Sequence, residues 1–304
     1  MNLETLKLFC DVARCRSFSK GASLNGITQS AASQAISQLE SDLGIRLIDR
    51  TRRPFVLTPE GELYYRSVGE ILRNYDDLLA NLQAMRQEIG GVVRVAAIYS
   101  VGLHDMATSV SRFMSRFPNA KVRIEYQRPP QIYEAVLHDE VDLGIVSYPS
   151  ASRDLDVIPL NNERMILCCR PDHHLASHKT IPFQLLHGEH FVTFDRDLAI
   201  RREIDRHLQE AQVAVRVVME FDNIETIKQA VQIGAGVSIL PEPTVRREVS
   251  KNHLAAVPLA DSDCTRPIGI LHRQRKTLTA AVRQFIQILQ ETKSAVRPPA
   301  PTEG

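Results

Sequence analysis

The chain lacks the segments that mark membrane and secreted proteins. Within its 304 residues, no apolar run is long enough to span a bilayer. The N-terminal sequence, MNLETLKLF, has no basic stretch followed by an apolar one, so we expect no secretory signal. These two absences predict a cytoplasmic protein with no membrane partner. The 43% hydrophobic content and the length suit about two domains with buried cores.

Cysteines are few, and no catalytic group of residues stands out. The five cysteines form an odd, scattered set without metal-ligand spacing, which favours unpaired thiols in a reducing compartment. Cys168-Cys169 lies within an apolar strand pattern, so a structural role is favoured over redox sensing, which needs accessible, electropositive surroundings. There is no catalytic triad or carboxylate pair with supporting context. We therefore expect no enzyme activity and no cofactor.

Residues 28–43, TQSAASQAISQLESDL, lack the lysines and glutamates of an ordinary solvated helix face. Thr28 is a suitable N-cap and Gly44 a suitable helix stop, which predicts a helix between them. At helical spacing the apolar residues fall on one side: Ala32, Ala35, Ile36, Leu39 and Leu43. The other side carries short neutral groups: Gln29, Ser30, Ser33, Gln34, Ser37 and Ser41.

Serine and glutamine both donate and accept hydrogen bonds, which suits base edges in a DNA major groove. Gln can pair bidentately with adenine, and Ser can bond to several bases. A helix of average surface polarity is the alternative, and it would be preferred if this segment stood alone. The preceding segments favour the DNA interpretation, because they predict two short helices and a break at Asn25-Gly26, which is the helix-turn-helix pattern.

A short hairpin with arginines at its tip is predicted after the third helix. Arg46–Arg50 and 55–57 are the two arms, and the connecting turn holds Arg52 and Arg53. A guanidinium at such a tip can bind phosphate or enter a narrow minor groove. Residues 1–58 carry eight Lys or Arg against five Asp or Glu on a chain of net charge +1. An anionic partner for this end is therefore expected.

A long helix is predicted from Pro59 to about Glu88, with Thr58 as its N-cap. Apolar residues recur along it at alternating spacings of three and four: Val68, Ile71, Tyr75, Leu78, Leu82, Met85 and Ile89. This narrow heptad seam favours a coiled coil with a second copy of the chain. Packing against the protein's own body is the alternative.

From Val92 onward, short apolar runs alternate with amphipathic stretches, which predicts an α/β architecture with a mostly parallel, doubly wound sheet. The pattern breaks near Asn161-Asn162 and then repeats. Residues 295–304 are rich in proline and are predicted to form a disordered tail.

Two local clusters invite other interpretations. Five histidines crowd one segment: His173, His174, His178, His187 and His190. We interpret them as loop histidines, with a metal site as the weaker alternative, because no cysteine or carboxylate completes a ligand set in the sequence pattern. Gly234-Ala235-Gly236 fits a helix stop before a buried strand better than nucleotide binding.

Several motifs together carry a resemblance to a known family. They are Leu6-x-x-Phe9, Ser17-Phe18, Gln29–Ile36, Leu39-Glu40, Leu43-Gly44, Leu47, Arg50, Leu57–Gly61, Phe117-Pro118, Val141–Ile145 and Gly234–Pro241. On these residues the sequence resembles the LysR-type transcriptional regulators over nearly its whole length. Gly21-Ala22 and Ile48 depart from the usual pattern, and neither removes a candidate DNA-contacting group.

The resemblance implies a winged helix-turn-helix domain (1–58), a linker helix for dimerisation (59–90) and a two-lobed, periplasmic-binding-protein-like effector domain (91–294). Lobe I would comprise 91–161 and 265–294, and lobe II 162–264. The residues that match the DNA-binding part are Thr28, Gln29, Ser30, Ser33, Gln34, Ser37, Arg50, Arg52 and Arg53. Those that match the effector cleft are Tyr99, Ser100, Arg128, Pro129, Ser147, Thr193 and Phe194; a solvated loop side chain is the alternative for each.

The sequence thus predicts a regulator that binds double-stranded DNA and a small, anionic effector. It would act as a homodimer or homotetramer, with RNA polymerase as a candidate further partner, and dimer symmetry implies a partly palindromic operator. A solute-binding module or a transferase that uses only the α/β part is the alternative function.

Overall fold

The computed structural model describes residues 2–84, 89–102, 106–260, 264–274 and 276–294. The chain divides into two compact units. The first covers Met1–Gly91 and His138–Glu140, and the second covers Val92–Leu137 and Val141–Gly304. Among the described helices, none is both long and apolar enough to cross a membrane.

The first unit begins with three helices: α1 (Leu3–Cys15), α2 (Phe18–Leu24) and α3 (Gln29–Leu43). Side chains cap all three, because the Asn2, Ser17 and Thr28 oxygens each accept a backbone amide of the following first turn. Gly44 ends α3 with φ of +68°, as expected for a glycine at that position. The predicted helix-turn-helix segment is therefore present, within one residue of its predicted bounds.

A small hairpin and a long helix follow. Strands β1 (Ile48–Asp49) and β2 (Val56–Leu57) pair antiparallel and form the predicted wing. Helix α4 (Pro59–Ala84) then starts on a hydroxyl, since Thr58 Oγ1 accepts the amide of Gly61 at 2.9 Å. A Cβ on Gly61 would lie 1.9 Å from the Leu47 carbonyl oxygen, so only glycine allows this approach. The start of α4 is thus packed directly onto the segment before the wing.

The seam of α4 is apolar and largely exposed. Val68 is buried, whereas Ile71, Leu78 and Leu82 are 51 to 54% exposed and Tyr75 is 43% exposed. Ile89 is half-buried, and the predicted seam residue Met85 lies outside the described residues. The described part of the seam after Val68 therefore leaves apolar surface for a partner.

The second unit contains a seven-stranded sheet flanked by helices. The elements of its first half are β3 (Gly91–Ala97), α5 (Tyr99–Gly102), α6 (Met106–Arg116), β4 (Ala120–Tyr126), α7 (Pro129–Leu137), β5 (Leu143–Ser147) and β6 (Leu155–Cys169). The elements of its second half are β7 (His190–Phe194), α8 (Ala199–Glu210), β8 (Arg216–Phe221), α9 (Ile224–Gln232), β9 (Ser238–Pro241), α10 (Glu242–Ser250), β10 (Ala255–Pro258), β11 (Thr265–Arg273) and α11 (Ala280–Ser294). The strand order in the sheet is β10-β6-β11-β5-β3-β4, with β9 also paired to β6.

Two long strands, β6 and β11, connect the two lobes. They pair antiparallel along nine residues of β11, from Thr265 opposite Arg164 to Arg273 opposite Leu155. In lobe I, β11 also pairs with β5, while in lobe II β6 pairs with β9 and β10. The lobe II core packs around β6 and β7 and includes Phe183, Phe191 and Leu240.

The strand pattern differs from the sequence prediction in two respects. The predicted break near Asn161-Asn162 is wrong, because β6 continues through both residues as a crossing strand. The prediction of a mostly parallel sheet is also wrong: β3–β5 and β7–β8 are parallel, but every described pairing of β6 and β11 with another named strand is antiparallel. The sheet combines parallel and antiparallel pairs because β6 and β11 run in opposite directions between the lobes.

The cysteines behave as the sequence predicts. All five lie in described residues, and none forms a disulfide. Cys168 and Cys169 are fully buried in β6. Burial raises the pKa of Cys169 to about 11 and that of Cys168 further still, which disfavours reactive thiolates.

Candidate DNA-reading helix and effector cavity

Helix α3 presents an uncharged polar face. Ala32, Ile36 and Leu39 are buried against the first unit's core. On the opposite side Gln29, Ser30, Gln34 and Gln38 are exposed, and Ser33 is half-buried. A shallow surface depression follows this face from Ala31 to Gln38. The helix therefore offers neutral donors and acceptors, of which Gln38 already donates to the Asp42 carboxylate at 2.8 Å.

Not all predicted DNA-contacting groups on α3 are equally available. The Thr28 hydroxyl accepts the Ala31 amide at 3.2 Å and lies 3.0 Å from the Ser30 hydroxyl, so it serves first as a helix cap. Ser37 Oγ accepts a hydrogen bond from Arg50 Nη2 at 3.0 Å. The Gln34 side chain is exposed, and among the described residues it makes no hydrogen bond.

The three predicted arginines divide into two kinds. Arg50 forms an ion pair of 3.1 Å with Glu40 and lies 5.3 Å above the Phe18 ring, so it joins the wing to α2 and α3. Arg52 is 72% exposed, and its ion pair with Asp49 is long, at 3.9 Å. Arg53 is exposed, and no ion-pair partner occurs for it in the described part of the chain. The two arginines at the wing tip are thus available to an external anion, whereas Arg50 is already engaged.

A cavity of about 680 Å³ lies in the second unit, between lobe I loops and lobe II helix starts. Six of the seven predicted effector residues line it: Tyr99, Ser100, Arg128, Pro129, Ser147 and Phe194. Thr193 does not line the cavity and is buried, with its hydroxyl unpartnered among the described residues. Neighbouring residues on a strand point to opposite faces, so Thr193 and Phe194 cannot both face the ligand.

One wall of the cavity is held by a buried ion pair that sequence reasoning missed. Arg266 on β11 lies opposite Glu163 on β6, and Arg266 Nε donates to Glu163 Oε2 at 2.9 Å. Each side chain is only 2% exposed. Arg266 Nη1 also donates to Ser100 Oγ at 3.0 Å. Arg266 on the crossing strand β11 therefore holds the Ser100 hydroxyl in place.

A second ion pair joins the lobes at the cavity. Arg128, which follows β4, lies 2.9 Å from the carboxylate of Asp197, which precedes α8. The side chains are 42% and 63% exposed, so solvent screens this pair. Arg202 Nη1 donates to the Asp197 carbonyl oxygen at 2.9 Å and so anchors the same turn.

The charged side chains that line the cavity do not give it a net charge of either sign. Three arginines line it, namely Arg128, Arg202 and Arg266, and three carboxylates do so as well: Asp197, Asp222 and Glu225. The helix starts break this balance. The first residues of α7, α8 and α9 all line the cavity, and α8 has no side-chain cap at Leu198. The N-terminal end of a helix carries partial positive charge, which favours an anion. Free amide protons are available mainly at α8, because α7 begins with Pro129 and Pro130, which have none, and Asn223 Oδ1 accepts the Thr226 amide of α9.

Tyr148 supplies a further polar group to the cavity. Its hydroxyl donates to the Thr265 carbonyl oxygen at 3.3 Å, and its backbone adopts a positive φ of 49°. Burial raises the pKa of this phenol well above its usual value, so the hydroxyl stays protonated. The only sequence signal for it was its place one residue after Ser147, at the end of β5.

The histidine-rich segment is also closer to a ligand set than its sequence suggests. His174 Nε2 lies 3.2 Å and His173 Nε2 3.7 Å from the carboxylate of Glu189. The prediction that no carboxylate completes the ligand set is therefore wrong for these two histidines, because the turn before β7 brings Glu189 beside them. His178, His187 and His190 are exposed and lie outside this cluster.

Comparison with known proteins gives the same two-part division. Residues 3–62 match the family model of the bacterial regulatory helix-turn-helix protein, lysR family, and residues 86–294 match that of the LysR substrate binding domain. The sequence is 29% identical to YbhD, an uncharacterized HTH-type transcriptional regulator of Escherichia coli K12, over 94% of this chain and 90% of that protein.

Two solved structures illustrate the structural likeness. Full-length CbnR, solved complexed with its target DNA, has a TM-score of 0.72 and 18% identity, and the match covers 96% of this chain and 100% of that one. The regulatory domain of CcmR from Synechocystis PCC6803, in complex with 2-PG, has a TM-score of 0.62 and 25% identity, with 67% of this chain and 98% of that one covered. The chain belongs to the LysR family of bacterial transcriptional regulators, with a helix-turn-helix DNA-binding domain followed by an effector-binding domain.

Proposed function

We propose that this regulator binds a partly palindromic operator as a dimer and changes conformation when a small anionic metabolite enters the cavity. The observation that carries the proposal is the uncapped start of α8 at a cavity that Ser100, Arg128 and Ser147 also line. A ligand alters a conformational equilibrium only through different affinity for two states. A cavity with a wall from each lobe provides such a difference.

For DNA, the uncharged face of α3 would read bases in the major groove. Ser30, Ser33 and Gln34 have the chemistry for this role. Arg52 and Arg53 would contact phosphates or the minor groove, because they lie exposed at the wing tip. Arg50 would instead hold the wing against α3, through Glu40 and Ser37.

For dimerisation, the exposed seam of α4 would pack against the same seam of a second copy. Ile71, Leu78 and Leu82 recur at coiled-coil spacing, and each is about half exposed. A symmetric dimer presents two copies of α3, so its operator needs two related half-sites.

For the effector, a carboxylate, sulfate or phosphate fits the cavity best. Hydroxyls and helix amides bind such groups well, and Tyr99 and Phe194 leave space for a ring. The related CcmR regulatory domain, solved in complex with 2-PG, supports a small molecule at this domain. An anion would compete with Asp197 for Arg128 and would thereby alter the one ion pair that we find between the cavity walls of the described chain.

The first experiment is a thermal-shift screen of the full chain against small carboxylates, sulfates and phosphates. The anion that raises the melting temperature is then titrated calorimetrically into the wild type, Ser100→Ala and the remote control Ser250→Ala. Losing a hydrogen bond to a charged group costs roughly 1.5–3 kcal/mol, so Ser100→Ala should bind about ten- to 150-fold more weakly. Ser250→Ala should match the wild type.

The second experiment tests the operator. Footprinting of genomic fragments selected by the full chain should reveal two related half-sites, and addition of the anion should change the protected region. Wild-type affinity in Ser100→Ala, or protection of a single half-site by a monomer, would contradict the proposal.

A further inference from the structure

Three potential metal ligands meet on the surface of lobe II. His173 and His174 lie in the turn after β6, and Glu189 directly precedes β7. One ligand atom from each residue lies within 4.8 Å of the other two. The two imidazole rings are 4.4 Å apart, centre to centre, and the Glu189 carboxylate lies beside both Nε2 atoms.

The backbone holds two of these residues firmly. His173 and Glu189 side chains are only 25% and 20% exposed. The Glu189 carbonyl oxygen accepts the Arg216 amide at 2.8 Å, and its own amide donates to Leu186 at 3.1 Å. His173 Nδ1 accepts the amide of the buried Leu175 at 3.3 Å. These backbone contacts and the partial burial position the carboxylate beside one imidazole.

The remaining histidine can adjust its position. His174 is 65% exposed, and its Nε2 lies 3.2 Å from Glu189 Oε1. Nearby Asp172 is already bound by Arg170 through contacts of 2.8 and 2.6 Å, so it does not compete as a ligand. This leaves three protein ligands and a solvent-exposed side for a fourth.

The ligand types and spacings suit zinc. Two imidazoles and one carboxylate, with an open fourth position, form a common zinc ligand set. Zinc–ligand bonds of about 2.0–2.1 Å in a tetrahedron place donor atoms roughly 3.4 Å apart. The observed separations are 3.2 Å from His174 Nε2 to Glu189 Oε1 and 3.7 Å from His173 Nε2 to Glu189 Oε2. With a single oxygen from Glu189 the three ligand atoms lie within 4.8 Å of one another, so a small side-chain adjustment would bring them to zinc-binding distances.

Metal binding would require one proton rearrangement. With Nδ1 accepting from Leu175, neutral His173 carries its proton on Nε2. Coordination through Nε2 moves this proton to Nδ1 and gives up one long amide hydrogen bond. His174 has no such constraint on its ring among the described contacts other than Glu189 itself.

We propose that His173, His174 and Glu189 form a site for a divalent transition metal, with zinc as the best fit and one coordination position open to solvent. None of the three lines the effector cavity. The site therefore stands independently of the proposed effector. It joins the turn after β6 to the start of β7, the strand whose far end, Phe194, lines the cavity.

The test uses the full chain, freed of metal with a chelator that is then removed. Zinc is titrated calorimetrically, and cobalt is used as a spectroscopic substitute whose visible absorption reports low-coordinate geometry. The variants are His174→Gln and Glu189→Gln, and the control is His178→Gln, which removes an exposed histidine outside the cluster. Melting temperatures of the metal-free variants verify folding, and exposed His174 is the safer substitution in this respect.

We expect one zinc per chain, bound at least about tenfold more weakly by both ligand variants and unchanged in the control. The cobalt absorption should disappear in the same two variants. Absence of saturable zinc binding in the wild type would overturn the proposal. Equal zinc affinity in the wild type and His174→Gln would also overturn it, because the metal would then be bound by other histidines.

Discussion

Arg128 and Asp197 form an ion pair of 2.9 Å between a loop of lobe I and a turn of lobe II, on the wall of the cavity. Both side chains are partly exposed, so the pair contributes little to stability. Its position matters more, because any anion bound by Arg128 must share that guanidinium with a carboxylate.

Asp197→Asn should therefore raise the affinity for the proposed anionic effector. Exposed ion pairs are worth about 0.2–1 kcal/mol, which corresponds to an increase of up to about fivefold. The measurement is calorimetric titration with the anion found by thermal shift. Asp195→Asn, which changes a carboxylate outside the cavity lining, is the control. Unchanged affinity in Asp197→Asn would show that Arg128 does not bind the effector.

Gln34→Ala should weaken specific DNA binding by about 1–3 kcal/mol and leave non-specific binding nearly intact. Gln34 is exposed on α3 and is not committed to a neighbour, unlike Ser37. Competition binding with operator and scrambled duplexes measures both affinities. A parallel fall in the two affinities would exclude base reading by Gln34.

Arg53→Ala should reduce the salt dependence of DNA binding by about 0.9 in the slope of log K against log salt concentration, as for one lost phosphate contact. Arg50→Ala provides the contrast, because Arg50 bonds to Glu40 and Ser37 within the protein. It should lower the melting temperature and change the salt slope less. The assignment fails if the slope is the same in Arg53→Ala and the wild type.

Leu78→Asp should make the protein monomeric. The substitution places an unpaired charge in the α4 seam, where its desolvation would oppose association. Leu63→Asp is a matched control, since Leu63 is 61% exposed on the same helix but lies off the seam. Sedimentation measures both, and a Leu78→Asp dimer of undiminished strength would place the interface elsewhere.

Cys10 should react slowly with alkylating agents in the native protein. Burial raises the pKa of this thiol from 9.0 to about 11, so at pH 8 the thiolate fraction falls about a hundredfold. The pKa of Cys10 is higher in the folded protein than in the unfolded chain, so the folded state binds this proton more tightly. The contribution of Cys10 to the free energy of unfolding should therefore fall as the pH rises from about 9 to 11. Mass spectrometry of labelled peptides, with and without denaturant, measures the reactivity. Equal labelling in both conditions would contradict this protection of the half-buried Cys10.

The helix bounds were predictable from the sequence, because they depend on residues that are close together in the chain. Helix α3 was predictable from Thr28, Gly44 and the spacing of Ala32 and Ile36, because caps and periodicity are properties of neighbouring residues. The cavity residues after strands came from the resemblance to the LysR family, and their positions agree with the rule that ligands bind beyond the carboxyl ends of strands in open α/β sheets.

Pairings between distant segments were not predictable in this way. Arg266 and Glu163 are 103 residues apart, and only the register of two crossing strands brings them together. The contact between Glu189 and His173 likewise depends on the path of the chain between them, and hydrophobic periodicity carries no information about that path. The family resemblance places both Thr193 and Phe194 at the cleft, although strand alternation allows only one of them to face it.

The close approach of Gly61 to the Leu47 carbonyl fixes the direction in which α4 leaves the helix-turn-helix domain. Thr58 adds to this, because its hydroxyl accepts the Gly61 amide and donates to the Arg46 carbonyl oxygen at 2.7 Å. The junction therefore has no flexible linker residues between the domain and α4. In a dimer held by α4, the angle at which the two helices cross then fixes the distance between the two copies of α3. If the proposed operator has two half-sites, their spacing in the DNA sequence would then report that crossing angle.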